Sequence, residues 1–235
     1  DLTGETGAIV LNQLAEFGVG GYTLTFKPSG AARTISGTAA ALSMIKLNGA
    51  DRVTFDGSLS GGTDRSMTLL YTNTGGTVVW IASASAANGA NNNTFKNLVI
   101  ASNPGTVSIS GVLAGSGTTL GGPAEAANNN NTIQNNEIFR VQNSMYNQGA
   151  VALDQNWLVT GNTFGSTVAV DKNSFRGMFM GNTQNFVISN NTVNGVSSTA
   201  TTTAAMSGIQ LAFAVNGGSV INNKVTDIRN NSTTG

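Results

Sequence analysis

The sequence predicts an all-β chain, a right-handed parallel β-helix solenoid of about seven or eight coils, forming one domain over residues 1–235. Three observations carry this prediction. A short Asn-rich phrase recurs along the chain, the apolar residues come in runs too short for helices, and Asn, Thr, Ser and Gly supply the polarity that charge supplies elsewhere. Charged residues are only 9% of the chain, against roughly a quarter in an ordinary soluble domain.

The phrase is visible at 93–98, 131–136, 157–162, 186–191 and 219–223, with an earlier relative at 53–58. Its apolar anchors are Phe55, Phe95, Ile133, Val159, Ile188 and Val220, separated by 40, 38, 26, 29 and 32 residues. Periods of 20 to 50 residues indicate a solenoid or propeller, and a fixed phrase at variable spacing means loops of different length leaving a constant rung. A second apolar position follows each Asn turn, at Ile100, Ile138, Phe164, Val193 and Val225. A third short strand is expected at 149–153, 177–180 and 208–211. Three strands per repeat fit a β-helix coil, whereas a propeller blade needs four strands and hairpin turns, for which paired Asn-Gly signals are sparse.

Stacked coils turn each phrase position into a ladder. Asn135, Asn190 and Asn222 fall in one, and Asn136, Asn162, Asn191 and Asn223 in the next. Stacked amides bond to the copies above and below, and Asn tolerates the left-handed backbone of a sharp corner. The same reading makes the glycosylation sequons at Asn92, Asn130 and Asn190 by-products of the ladder.

The two ends read differently. Val10, Leu14 and Phe17 lie at helical spacing within 8–17, which predicts a short capping helix inside a cap region of residues 1–21. Coils are expected over 22–228, starting with the alternating strand 22–26, and a polar tail over 229–235 with no matching cap. The stretches 82–93, 102–131 and 197–205 are read as loops leaving the rod.

Composition narrows the function. Eleven basic and eleven acidic residues balance, and the basic ones are scattered singly, which argues against a nucleic-acid surface. There is no Cys for a disulfide or thiolate metal site and no His to activate a Ser nucleophile. No apolar run approaches the ~18 residues of a membrane span, and Asp1 begins without a signal-peptide pattern, so a secreted chain would be a mature form or an internal fragment. An extracellular location, secreted or on a cell surface, follows from the low-charge, Asn- and Thr-rich make-up.

The segments 47–57, 22–26 and 32–37, together with the Asn-Asn-Thr-Phe and Asn-Asn-Thr-Ile phrases, resemble large secreted bacterial proteins built of right-handed parallel β-helix repeats of the pectin-lyase-like kind. The resemblance covers most of the chain. It implies the fold, and for function it implies a surface protein or, across the wider fold, polysaccharide lyases, hydrolases, tailspikes and adhesins.

An enzyme on this fold needs convergent carboxylates, two for glycoside hydrolysis or a calcium-binding set with a basic residue for a lyase. By alignment, Glu137 stacks with Thr163, Thr192 and Lys224, and Asp154 near Gly181 and Ala212, so neither has a carboxylate neighbour. The densest acidic region is Asp51, Asp56 and Asp64, beside Arg52 and Arg65. These three are the candidate metal ligands of a lyase site, and their competing reading is a corner and loop with locally paired charges. Trp80 and Trp157 are read as packing residues rather than sugar platforms. No catalytic residue and no cofactor is assigned. The expected function is a non-enzymatic structural or adhesive β-helix, with a carbohydrate-active enzyme or a glycan-binding module as the alternative. Expected partners are other copies of the chain, the remainder of a longer β-helix, or surface glycans.

Overall fold

A computed structural model of the chain describes residues 8–38, 41–104, 107–198 and 206–231. It is a parallel β-solenoid of three seven-stranded sheets. Sheet I contains Ile9–Asn12, Ser43–Asn48, Thr77–Ala82, Ser108–Gly115, Val141–Gln148, Arg176–Gly181 and Ser207–Ala212. Sheet II contains Leu24–Phe26, Val53–Asp56, Thr94–Lys96, Thr132–Gln134, Leu158–Thr160, Val187–Ser189 and Ser219–Ile221. Sheet III contains Arg33–Gly37, Met67–Tyr71, Leu98–Ser102, Glu137–Phe139, Thr163–Phe164, Thr192–Ser198 and Lys224–Asn230. The chain visits I, II and III in turn, so each neighbour within a sheet is one coil away.

From the first strand of a sheet to its seventh the chain makes about six turns, slightly fewer than the expected seven or eight coils. Dividing chain length by a uniform repeat overestimates the number because residues are spent on excursions such as 57–66 and 116–131, which add length without adding a rung.

Phe26, Phe55, Phe95, Ile133, Val159, Ile188 and Val220 form one continuous column along sheet II. Its first three rings stack at centroid separations of 4.4 and 5.1 Å. The matching column in sheet III runs Ile35, Leu69, Ile100, Ile138, Phe164, Val193, Val225. With Ile45, Val79, Val112, Met145 and Met178 of sheet I these residues, apart from exposed Val220 and Val225 of the last coil, fill the interior of the rod. Fully burying such a side chain contributes about 1.5–3 kcal/mol, so the columns are the main cohesive term.

Three expectations are corrected. No helix forms within 8–17: Ile9–Asn12 pairs in parallel with Ser43–Asn48, and the only helical segment among the described residues is the 3-10 turn Ala169–Asp171. Val10, Leu14 and Phe17 have the spacing of a helix face but nothing to pack against, being 54%, 81% and 78% exposed. The open edge of the second coil instead recruits the segment as a strand. The expected loop 102–131 is interrupted by the strand Ser108–Gly115, whose loop-like Ser and Gly content hides inward-facing Val112 and Ala114. The expected strand 149–153 is a turn with Val151 exposed, and the strand of that coil is Val141–Gln148. In consequence Asp154 pairs with Thr183, while Gln148 occupies the column of Gly181 and Ala212. The expected excursion 197–205 lies largely outside the described residues, as do residues 1–7 of the cap region and 232–235 of the tail.

Candidate functional site

The corners of the solenoid decide what the polar side chains can do. Between sheets II and III the chain turns through a left-handed residue, which is Asn97, Asn135, Asn190 or Asn222, with Gly161 serving in the fifth coil. Between sheets I and II the same role falls to Arg52, Asn92, Asn130, Asn156 and Asn185. Asn and Gly adopt this conformation at low cost, which explains why the sequence repeats them. The sequon residues Asn92, Asn130 and Asn190 are all corner residues of this kind.

The next residue along, at the start of sheet III, forms a ladder of buried Asn136, Asn162 and Asn191 and half-buried Asn223. Each Oδ1 accepts a backbone N–H from the preceding coil: Leu98 gives 3.0 Å to Asn136, Asn136 gives 2.9 Å to Asn162, Asn162 gives 3.0 Å to Asn191 and Asn191 gives 3.0 Å to Asn223. Each Nδ2 donates to a preceding-coil carbonyl, namely those of Phe95, Ile133, Val159 and Ile188, at 2.8–2.9 Å. A second ladder at the start of sheet II uses Asn93 and Asn131 in the same way. The amide is suited to this because it carries a donor and an acceptor on one planar group, and so satisfies both backbone groups freed by a corner.

The candidate metal ligands do not converge as a set of three. Asp51 lies at the sheet I–II corner, where it accepts the Asn91 amide at 2.6 Å. Asp56 and Asp64 are brought together at the next corner, on either side of Ser58. Asp56 accepts the Ser58 amide at 3.1 Å and Asn97 Nδ2 at 2.8 Å, and pairs with Lys96 at 3.3 Å. Burial alone would raise its pKa, but those donors and the Lys96 charge outweigh it and lower it. Asp64 accepts the Ser58 hydroxyl at 2.6 Å, the hydroxyls of Ser60 and Ser66, and the Leu59 amide at 2.9 Å, which holds its carboxyl far below the usual range. It is the hub of the 57–66 loop. That loop is tied across two coils by Arg65, whose guanidinium donates to the Asn135 carbonyl at 2.8 Å and to its side-chain oxygen at 3.0 Å. Among the described residues no three acidic side chains are grouped to hold a metal ion.

A polar cluster without a sequence signal surrounds Glu125. It accepts the Ser116 hydroxyl at 2.6 Å, the Gly117 amide at 2.8 Å and the Ser83 hydroxyl. Burial pushes its carboxyl up, but these donors prevail and hold it at about 2. Lys46 donates to the Gly117 carbonyl at 2.6 Å and rests 4.3 Å over the Trp80 ring. Ser83 and Glu125 are 42 residues apart, and only the coil register brings them together. The outcome is a clamped loop over Trp80, Leu113, Leu120 and Tyr146, a small apolar cluster on the outer face of sheet I. Trp157 is buried in the rod, with its Nε1 donating to the Asn128 carbonyl at 2.7 Å. Both tryptophans therefore pack rather than present a ring to solvent.

All nine described carboxylates are engaged in this way. Besides those above, Glu16 meets Arg52, Glu137 meets Arg65 at 3.9 Å, Asp171 meets Arg140 at 3.6 Å, Asp227 meets Lys172 and Arg229, and Asp154 accepts two backbone amides. No protein-family model matches the chain, and no curated protein matches it. No helix among the described residues is long and apolar enough to cross a membrane.

Proposed function

We propose that the chain is a non-enzymatic, extracellular structural or adhesive β-helix of a bacterial cell surface or matrix, one whose rods stack end to end. The engagement of every described carboxylate carries this reading. Each one accepts N–H or O–H groups of the chain or pairs with one of its cations, and Asp154, whose Oδ2 has no partner, is closed off from solvent, so none of the nine is presented as a base or cation ligand. The acidic residues therefore serve the scaffold.

The ends of the rod supply the assembly half of the proposal. At the first coil Val10 and Leu24 are 54% and 46% exposed, and at the last coil Val220 and Val225 are 43% and 45% exposed. These are positions on strands whose outer edges have no partner among the described residues. A second copy placed end to end would set Ile209 on Ile9, Val220 on Phe26 and Val225 on Ile35, continuing the apolar columns. A contact of this type does not close on itself and grows as a filament.

Incubating the purified chain with pectin and with alginate tests the non-enzymatic half. The expected result is no new reducing ends and no unsaturated uronate. Turnover abolished by Asp56→Asn or Asp64→Asn would replace the structural reading with a carbohydrate-active one centred on Ser58.

A further inference from the structure

Among the described residues Asp154 is the one acidic residue buried completely, at 0% exposure, and it follows an asparagine, Asn128, in the column that continues to Thr183. In the preceding coil the position belongs to Asn128, whose Oδ1 accepts the Ala90 amide at 2.8 Å and whose Nδ2 donates to the Gly115 carbonyl at 3.4 Å. Asp154 reproduces the first half of this pattern, its Oδ1 accepting the Asn128 amide at 3.0 Å and the Ala150 amide at 3.1 Å. The second half fails for a carboxylate. Where an asparagine carries a donor, Asp154 carries Oδ2, which is buried without a hydrogen-bond partner.

The Asn147 side chain lies within hydrogen-bonding reach of this carboxyl and acts on it as a donor. Its amide is oriented by Thr183. The Thr183 hydroxyl donates its proton to the Gly181 carbonyl at 2.9 Å, so it can only accept from Asn147, and Asn147 Nδ2 fills that role at 2.9 Å. A buried acceptor without a donor costs about 1–3 kcal/mol, and more when it is charged. A proton on Asp154 Oδ2 removes that charge.

We infer that the fold holds Asp154 as the neutral acid, so that the carboxyl joining the fourth and fifth coils through the Asn128 and Ala150 amides keeps its proton and the joint loosens when the proton leaves. The groups set against the carboxyl are Asn128, Asn147, Gly149, Ala150, Trp157 and Thr183, none of them charged, so no cation is at hand to stabilise the anion. Burial accordingly raises its pKa to about 7, even against the pull of its amide donors. The sign follows from linkage. Between the unfolded pKa near 4 and the folded value the native state binds a proton that the unfolded state does not, so this contribution falls as pH rises through that window and is flat above it.

The test follows the Asp154 carboxyl carbon by NMR from pH 4 to pH 9 in the isotopically labelled full chain, alongside urea unfolding of the wild type and Asp154→Asn. The carboxyl should stay protonated through pH 5 and titrate near neutrality. The folding equilibrium constant of the wild type should drop relative to Asp154→Asn by up to about a thousandfold across the window. Titration near pH 4, or parallel stability profiles of the two proteins, would overturn the inference. If Asp154→Asn does not fold, the carboxyl titration of the wild type decides alone.

Discussion

An asparagine in this chain does one of two jobs, and the two should respond differently to mutation. Asn162 is buried in the ladder, and truncating it to alanine strands the Asn136 amide and the Ile133 carbonyl. We expect Asn162→Ala to destabilise the rod by about 2–4 kcal/mol, at about 1–3 kcal/mol per orphaned group relieved in part by water. Asn190 is a corner residue at φ 56°, with its side chain exposed. Asn190→Gly should be nearly neutral and Asn190→Ala should cost about 1 kcal/mol, from the left-handed penalty alone. Urea unfolding of the three variants checks the order. The two ladders were legible in the sequence because the phrase keeps both positions adjacent and a solenoid forces equivalent residues into columns. The chemistry of Asp154 was not, because the 149–153 segment has the apolar content of a strand and shifts the alignment by one excursion.

At the scale of elements, the long loops are held by single polar hubs. Asp64 gathers the 57–66 loop and Arg65 fastens it to Asn135 two coils on. Arg65→Ala should leave the columns intact and make the loop the first site of cleavage, near Leu59 to Gly62, in limited proteolysis. The clamp at Glu125 adds a pH response of the opposite sign to that of Asp154. Its folded carboxyl is held at about 2, below the ordinary value, so the clamp is fully made above about pH 4.5 and is lost as pH falls toward 2. Hydrogen exchange at the Gly117 amide should rise through that acid range in the wild type and be independent of pH, after correction for intrinsic rates, in Glu125→Gln. These hubs were invisible to sequence reasoning for a physical reason. Asp56 and Asp64 stood out as an acidic cluster, but the same residue types serve a cation or a loop amide equally well, and only the number of donors around each distinguishes the two. The N-terminal segment misled for a related reason, since helical spacing is informative only when the face it creates has something to pack on.

The whole molecule is a set of columns, and its stability is a sum over neighbouring coils rather than the property of one central core. Among the described residues the weak points are the first and last coils, where Val10, Leu24, Val220 and Val225 are exposed. The apolar anchors Phe55 through Val220 were readable because every one of them lands in a single column, but the number of turns was not, because excursions consume chain length without rise. The central claim, that this scaffold builds by stacking, is tested most directly by sedimentation velocity over a range of concentrations, with the Val220→Lys/Val225→Lys variant as comparison. Stacking predicts a sedimentation coefficient that climbs with concentration for the wild type and stays at the single-rod value for the variant. A wild-type chain that remains a single rod at the highest concentration, indistinguishable from the variant, would contradict it.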